Sequence, residues 1–408
     1  MSIKKLPLLS VVAAAVAAVA GFAAPAALAQ SNVTIYGKLY PYIINEDGSG
    51  ATAAGPSSAT LGATATGVDG VTRNTGMVAG NSRFGIRGTE DLGGGLKAFF
   101  QMESVVGVND GTGGSGTQFW NRDTFVGLSN SMGTIKLGLM DTIFKNYGDT
   151  LGILGISSGT FMSNSNILRK PGFGTSSAAR FHERRANSIQ LESAEFSGVQ
   201  AGFQYSLDPA KTATRNATTT SMGLKYDNGP IYVAIAHEIH DDFFGGSLQA
   251  PAARRNNADL GVNSKDKATQ FTVEYRFAKD HKFEFDVIQK EYKENATIAG
   301  RFTSYKNTAY LLAMENRWSD QWRTAANYVR SNAGSCSVVA QACTTAGLAG
   351  SKITLAGAYY FSRRTYAFAA VAKLTNGSAS RFSTNDLANG TTPGEDLTQM
   401  ALGLSHNF

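Results

Sequence analysis

Three short motifs bring together residue types used by enzymes, but none has the flanking structure that its chemistry needs. Residues 155–159 (Gly-Ile-Ser-Ser-Gly) match the elbow of a nucleophilic serine, which requires a buried strand before it and a helix after it. Residues 111–116 match a dinucleotide-binding turn but open no helix. In a strand, His237 and His240 fall on opposite faces and cannot share a metal ion. We therefore predict no enzyme, cofactor or metal site.

Charged side chains elsewhere recur with a period of two and oppose apolar side chains. Residues 282, 284 and 286 are Lys, Glu and Asp, whereas residues 283, 285 and 287 are Phe, Phe and Val. Residues 271–277 show the same alternation, with Glu274 and Arg276 on the polar face. A strand sends successive side chains to opposite faces, so each segment predicts a strand with one apolar and one charged face.

About sixteen such segments follow one another, separated alternately by tight turns and by long polar loops. A soluble sandwich rarely reaches this number of strands in one domain. A closed barrel in a bilayer, apolar outside and polar inside, satisfies every backbone hydrogen bond. We predict an all-β fold, a transmembrane antiparallel barrel of about sixteen strands. The predicted strands are 33–40, 80–90, 96–103, 121–128, 134–140, 188–195, 199–207, 221–226, 231–239, 270–277, 282–290, 310–316, 322–329, 353–361, 366–374 and 400–408.

The first residues read as a secretion signal. Lys4 and Lys5 precede an apolar stretch at 8–24, and Ala27-Leu-Ala29 is a small-x-small cleavage site. We expect residues 1–29 to be removed and residues 30–408 to form a single outer-membrane barrel domain.

The two cysteines, Cys336 and Cys343, lie seven residues apart in a stretch rich in Gly, Ser, Ala and Thr. In an exported protein this spacing favours a disulfide within one loop. A metal site is less favoured because no histidine is nearby in the sequence.

The charge balance is mildly basic. The chain has 37 Lys and Arg against 31 Asp and Glu, a formal net charge of +6. This excess is too small for a nucleic-acid patch, and we expect no nucleic-acid partner. It could bias a pore toward anions.

Several segments resemble the general porins of Gram-negative bacteria, in the β-proteobacterial branch that includes the Bordetella, Burkholderia and Neisseria porins. The most similar stretch is 81–104, and the matching segments run along the whole mature chain. The others are 33–37, 121–128, 133–138, 185–189 and 406–408.

The resemblance implies a sixteen-stranded barrel in the outer membrane, usually a homotrimer, that passes small hydrophilic solutes and ions by diffusion. It also implies contact with lipid and lipopolysaccharide, and recognition by the barrel-assembly machinery of the terminal strand ending at Phe408. The third long loop, here about 146–183, is expected to fold inward and narrow the pore.

Charged residues near that loop are our candidates for the constriction. Basic groups on the wall would oppose acidic groups of the loop, giving a weak preference for anions. By the alternation of a strand, Arg122 would share a face with Thr124, Val126 and Leu128, which is the face expected to contact lipid. The assignment of Arg122 to the lumen is therefore the least secure of the set. The candidates are Arg83, Arg87, Arg122, Lys136, Arg184 and Glu103 on the wall, with Asp149 and Glu183 on the loop.

Two other functions remain open. A substrate-selective channel would show saturable conduction that its solute blocks. An adhesin or structural barrel with a plugged lumen would insert into bilayers and conduct negligibly. The absence of a plug domain in the sequence favours diffusion through an open lumen.

Overall fold

The alternating segments become the strands of one antiparallel sheet in a computed structural model, which describes residues 32–113, 118–148, 154, 159–174, 177–278, 280–384, 386–387 and 390–408. The strands are β1 Asn32–Leu39, β2 Tyr42–Ser49, β3 Asn74–Val78, β4 Arg83–Gly93, β5 Leu96–Val105, β6 Thr124–Asn130, β7 Gly133–Asp141, β8 Arg184–Ser193, β9 Val199–Ser206, β10 Thr218–Asn228, β11 Ile231–Asp241, β12 Lys265–Phe277, β13 His281–Lys293, β14 Phe302–Arg317, β15 Trp322–Ser331, β16 Ser335–Val338, β17 Gly350–Tyr360, β18 Thr365–Asn376 and β19 Asp396–Asn407.

These strands make a closed ring of sixteen. β1 and β2 form one interrupted barrel strand, β3 and β4 form the next, and β16 lies outside the ring beside β14. The ring closes where β19 pairs with β2, Asp396 opposite Ser49, and with the end of β1, Lys38 opposite Asn407. The predicted fold class is confirmed.

One face of the ring is apolar and exposed, and the other encloses polar side chains. Ile35 and Leu402 on the outer face are 62% and 69% exposed, whereas Gln270 and Asp286 on the inner face are buried. Apolar residues exposed on neighbouring strands form the continuous band that a bilayer covers. We call the enclosed side the lumen.

Short helices occur only between strands in the part of the chain that is described. They are the α-helices Ile143–Tyr147 and Ser165–Leu168 and the 3₁₀ helices Ser177–Ala179, Ser247–Gln249, Ala252–Arg254 and Ala258–Leu260. No helix among the described residues has the length and apolar character needed to cross a membrane.

The third long loop connects β7 and β8 at residues 142–183, and its described residues fold into the lumen, as the resemblance implied for about 146–183. We call it the inward loop. The Phe144 N–H donates to Ser221 Oγ on β10 at 2.8 Å, and the Tyr232 hydroxyl on β11 donates to the Tyr147 carbonyl at 2.7 Å. Apolar loop side chains, including Phe144, pack against this wall and are buried.

Two lysines of the lumen wall hold the backbone of the inward loop, and we call them the lysine latches. Lys290 Nζ on β13 donates to the carbonyls of Leu168 at 2.7 Å and Lys170 at 2.9 Å. Lys352 Nζ on β17 donates to the carbonyls of Phe161 at 2.7 Å and Ser163 at 2.5 Å. Both lysine side chains are buried. Backbone carbonyls, which are strong acceptors, thus satisfy the buried amino groups of two lysines.

The disulfide prediction is confirmed. Cys336 and Cys343 are bonded, with their Cα atoms 5.7 Å apart. Part of the stretch is not an open loop, because β16 pairs with β14, Cys336 opposite Tyr305.

The predicted end of the first strand is wrong. After a break at Pro41 the chain continues as β2 to Ser49, where the sequence indicated a polar loop. Glu46 lies on the lumen face of this strand and is buried. Its Oε1 accepts hydrogen bonds from Gln399 Nε2 at 2.6 Å and from the Asp386 N–H at 2.7 Å. The predicted signal, 1–29, lies outside the described residues.

Candidate functional site

Strands β1, β4 and β5 place a carboxylate between two arginines on the lumen wall. Glu103 accepts a hydrogen bond from the Tyr36 hydroxyl at 3.1 Å, and its Oε2 lies 3.5 Å from Arg83 Nε. Its other oxygen, Oε1, is paired with Arg122 Nε. The strand register explains the meeting, since Tyr36 and Glu103 both lie opposite Gly85. We call Tyr36, Arg83, Arg87, Glu103 and Arg122 the basic wall.

Arg122 reaches the lumen because it precedes β6 rather than belonging to it. β6 begins at Thr124, and the Arg122 N–H donates to the Glu103 carbonyl at 3.0 Å. Strand parity therefore does not apply at this position, and the side chain turns toward Glu103. The difficulty raised by its parity in the sequence is resolved.

The root of the inward loop is tied to the wall by a charged network around Arg184. Arg184 Nε lies 2.5 Å from Asp123 Oδ1, and Arg184 Nη2 lies 2.8 Å from Asp141 Oδ1. Lys145 Nζ binds the same Asp141 oxygen at 2.9 Å. Burial raises the pKa of Asp123, and the nearby Asp141 carboxylate adds to the effect. Two cations and two carboxylates thus balance at this point.

A further ion pair lies in the loop just before Arg184, and a lysine lies nearer the middle of the loop. Arg180 Nε is paired with Glu183 Oε1. Burial lowers the pKa of Lys170 to about 8, and the positive charge of Arg180 adds to the effect. The charge of Lys170 therefore changes within an experimentally accessible pH range.

The inward loop approaches the wall beside Arg83. A β-carbon on Gly159 of the loop would lie 3.9 Å from Asn81 Nδ2. Asn81 Oδ1 accepts a hydrogen bond from Arg83 Nη1 at 2.8 Å. The loop and the basic wall thus come close at this level of the barrel.

The structure brings only some of the predicted constriction residues together. Arg83, Arg122 and Glu103 form one cluster, and Arg87 lies further along β4 with its guanidinium 4.9 Å from the centre of the Tyr36 ring. Lys136 lies apart from them, 2.9 Å from Glu192 Oε2. Arg184 and Glu183 take part in the separate pairs described above. Asp149 lies outside the described residues.

Sequence reasoning missed four residues that hold this region together. Lys145 stands four residues after Asp141, a spacing typical of a helical ion pair, and Asp123 is adjacent to Arg122, so both could have been noticed. Tyr36 gave no signal because its role depends on contact with Glu103, 67 residues later in the chain. The missed residues are Tyr36, Asp123, Asp141 and Lys145.

The basic wall carries more positive than negative charge. One carboxylate, Glu103, serves both Arg83 and Arg122, and no carboxylate of the described residues lies within ion-pair distance of Arg87. The side chains of Arg83 and Arg122 are 31% and 21% exposed. Part of the positive charge of the basic wall is therefore exposed to solvent.

Comparison with known proteins assigns the family. The model of the Gram-negative porin family matches residues 13–379. The chain belongs to the Gram-negative porin family. This membership places the porin in the outer membrane.

Two curated relatives match parts of this porin. Outer membrane porin protein 32 of Delftia acidovorans is 34% identical over 263 residues, which is 62% of this chain and 65% of that protein. Major outer membrane protein P.IB of Neisseria meningitidis is 30% identical over 177 residues, 42% of this chain and 47% of that protein. The matched regions thus span about half to two thirds of the length of these relatives. That the relatives come from Delftia and Neisseria agrees with a porin of the β-proteobacterial type.

Solved structures share the fold of this porin. The anion-selective porin from Comamonas acidovorans superposes with a TM-score of 0.68 at 22% identity, over 93% of this chain and all of that chain. The trimer form of Vibrio cholerae OmpT superposes with a TM-score of 0.61 at 14% identity, over 93% of this chain and 99% of that chain.

Proposed function

We propose that this porin forms a water-filled channel in the outer membrane through which small hydrophilic solutes and ions diffuse passively, with a weak preference for anions and without catalysing a reaction. The observation that carries the proposal is the contrast between the two sides of the lumen. The described part of the inward loop packs on the latch side, whereas Arg83, Arg87 and Arg122 on the opposite wall keep solvent exposure in the described structure.

The anion preference rests on the excess positive charge of that wall. Charges at a narrow point bordered by low-dielectric protein act on passing ions more strongly than they would in bulk water. The relative from Comamonas acidovorans is described as anion-selective, which agrees with the sign we infer. We propose Arg83, Arg87, Arg122 and Glu103 as the wall of the constriction, with Lys136, Arg184, Asp149 and Glu183 contributing charge near it.

The zero-current potential tests both parts of the proposal. Purified, refolded porin is reconstituted in a planar bilayer under a KCl gradient. We expect stepwise conductance and a potential of the anion-selective sign. A cation-selective sign would keep the channel and overturn the charge assignment. A folded, heat-modifiable barrel that gives no steps would overturn the channel and favour a plugged or adhesive barrel.

We also propose that the porin assembles as a homotrimer. The Vibrio cholerae neighbour is described in a trimer form. Val33, Ile35 and Leu402, on strands next to the closure of the ring, are between 60% and 69% exposed. This prominent apolar face is our candidate for the contact between copies, and cysteine cross-linking across it would test the assignment.

A basic patch on the outer face supports contact with lipopolysaccharide. Its lysines share the parity of the lipid-facing residues Phe271 and Tyr310 but lie toward the long-loop end of the strands. Lys265, Lys267 and Lys293 line a surface pocket of about 690 Å³, which Asp241, Asp242 and Glu291 also line. Lys265 is paired with Asp241, so the other three lysines are the ones that would meet phosphate groups of lipopolysaccharide. The patch consists of Lys265, Lys267, Lys293 and Lys306.

The terminal strand is our candidate for recognition by the barrel-assembly machinery. Phe408 closes the ring by exchanging backbone hydrogen bonds with Gly37 at 3.1 and 3.2 Å. Before closure, this end of β19 would be free to pair with another protein. Removal of Phe408 should slow assembly in vivo, measured as the heat-modifiable fraction of the porin.

A further inference from the structure

Three aromatic rings on the lumen wall are not covered by the part of the inward loop that the structure describes. Tyr36, Phe99 and Phe125 share the lumen face of β1, β5 and β6 and stay partly exposed. Lumenal rings on the opposite wall, such as Tyr292 and Tyr305, are fully buried in the hydrophobic cluster that the loop completes. Since Phe99 and Phe125 belong to none of the hydrophobic clusters of the described residues, they do not serve to anchor the loop.

Glycines on the adjacent strands let these rings lie against the wall. A β-carbon on Gly85 would lie 2.4 Å from Tyr36 Cζ, and one on Gly127 would lie 2.6 Å from Phe99 Cζ. Neither glycine has a positive φ, so the backbone conformation does not require glycine at these positions. The missing side chains instead provide space for the rings, which present their faces and edges to the lumen.

Arg87 is the cation next to these rings. Its side chain is exposed, and its guanidinium stacks on Tyr36 without a carboxylate partner among the described residues. Lys136, the other nearby cation, lies 5.5 Å from the centre of the Phe125 ring but is paired with Glu192. Arg87 is therefore the group free to bind an anion here.

Two of the three rings, Phe99 and Phe125, border one pocket together with Arg87. Arg87 lies opposite Gln101, which lies opposite Phe125, and Phe99 follows two residues away on β5. Neighbouring strands are about 4.8 Å apart, so the Cα atoms of Arg87 and Phe125 are about 10 Å apart. The pocket has a volume of about 240 Å³. The residues that line it include Thr34, Arg87, Phe99, Gln101 and Phe125.

We propose that this pocket is a binding subsite for small aromatic carboxylates passing through the channel. The ring of the solute packs against Phe99 and Phe125, which contact each other edge to face with centroids 6.1 Å apart. Its carboxylate accepts hydrogen bonds from the guanidinium of Arg87. The subsite rests on the proposed channel function and specifies one class of solute for it.

Tight binding in this pocket requires both the aromatic ring and the carboxylate of the solute. An aliphatic carboxylate of small size binds Arg87 but leaves the two rings in contact with water. An aromatic amine packs on the rings but brings a second cation next to Arg87, which is unfavourable. An aromatic carboxylate satisfies both, so it should reside longest and impede the flow of other ions.

The first test uses the unmodified porin in planar bilayers with KCl on both sides. Benzoate, acetate and benzylamine are added in turn, and the concentration that halves the unitary conductance is measured for each. We expect benzoate to block saturably, and acetate and benzylamine to need about tenfold higher concentrations or more. Block by either of these two at the concentration of benzoate would overturn the subsite.

Variants then locate the site. Arg87→Gln and Phe125→Leu should each raise the half-blocking concentration of benzoate about tenfold. Tyr360→Leu is a matched control, because Arg323 stacks on this lumenal ring with its guanidinium 4.1 Å from the ring centre, away from the pocket. It should leave the block unchanged. An unaltered block in both pocket variants, or an equal loss in the control, would overturn the assignment.

The two proposals fail separately. If no conductance steps appear in KCl alone, the channel function is wrong. If steps appear but benzoate and acetate block alike, only the aromatic subsite is wrong.

Discussion

Glu103 carries the one negative charge that lies between Arg83 and Arg122 on the basic wall. Its neutralisation leaves two guanidinium groups facing the lumen without a carboxylate between them. Replacement of either arginine by a neutral residue would instead leave Glu103 paired with one arginine, with no net charge in the cluster. The sign of the selectivity is therefore set by a small number of side chains, and single substitutions at them are informative.

Glu103→Gln should make the channel more anion-selective. A unit charge at 4 Å acts with about 1 kcal/mol in water, so the ratio of anion to cation permeability should rise by up to about fivefold. The measurement is the zero-current potential under a KCl gradient. Asp320→Asn, in an exposed turn, is the matched control, and a shift of equal size there would contradict a local effect.

Lys170 should give the selectivity a pH dependence. Its pKa is lowered to about 8, so the side chain is charged below that pH and neutral above it. The anion preference should fall as the pH rises from 7 to 9. In Lys170→Gln this part of the profile should be flat, whereas Lys211→Gln, in an exposed outer loop, should keep it. A profile that Lys170→Gln does not alter would rule out this lysine as the cause.

At the scale of the secondary-structure elements, we expect the position of the inward loop in the lumen to depend on the lysine latches. Each buried lysine amino group donates to two loop carbonyls, and its removal leaves those acceptors without their partner. Loss of a buried hydrogen-bond partner costs about 1–3 kcal/mol. The latch side of the lumen therefore determines how firmly the loop is kept away from the basic wall.

Lys290→Met and Lys352→Met should loosen the loop without unfolding the barrel. We expect noisier single-channel currents and faster proteolysis of the loop, with the heat-modifiable barrel retained. Lys373→Met is the control, because this lysine is exposed on the outer face of β18. Quiet currents in both latch variants would show that other contacts suffice to hold the loop.

The sequence predicted the elements better than the contacts between them. Parity correctly assigned Arg83 and Arg87 to the lumen, because side-chain direction in a regular strand depends only on local geometry. It failed for Arg122, where the strand has not yet begun. It also gave no means of separating Lys290, which holds the loop, from any other lumenal charge, since its partners lie 120 and 122 residues away in the chain.

At the scale of the whole molecule, closure of the ring depends on a close contact between its two ends. Phe408 lies against Gly37, where a β-carbon would be 2.4 Å from the Phe408 ring and 2.8 Å from the Arg83 carbonyl oxygen. A side chain at residue 37 would therefore force the Phe408 ring or the backbone at Arg83 to shift before the last strand could complete the sheet.

Gly37→Ala should destabilise the closed barrel by about 1–3 kcal/mol, the usual effect of overpacking. Gly357→Ala is a matched strand substitution, because the nearest atom to its β-carbon is the Arg323 carbonyl oxygen at 3.9 Å. The measurement is the urea midpoint of the heat-modifiable form. Equal midpoints for the two variants would show that closure tolerates a side chain at residue 37.

The lysine latches also bear on how porins of this type can diverge. Lys290 and Lys352 bind main-chain oxygens of the inward loop and none of its side chains in doing so. Every amino acid, proline included, supplies such a carbonyl. Substitutions at residues 161, 163, 168 and 170 therefore leave these acceptors in place, and Lys170 in particular can change its charge while its carbonyl stays bound. Selection can then alter what the pore admits, one loop side chain at a time, without releasing the loop from the wall.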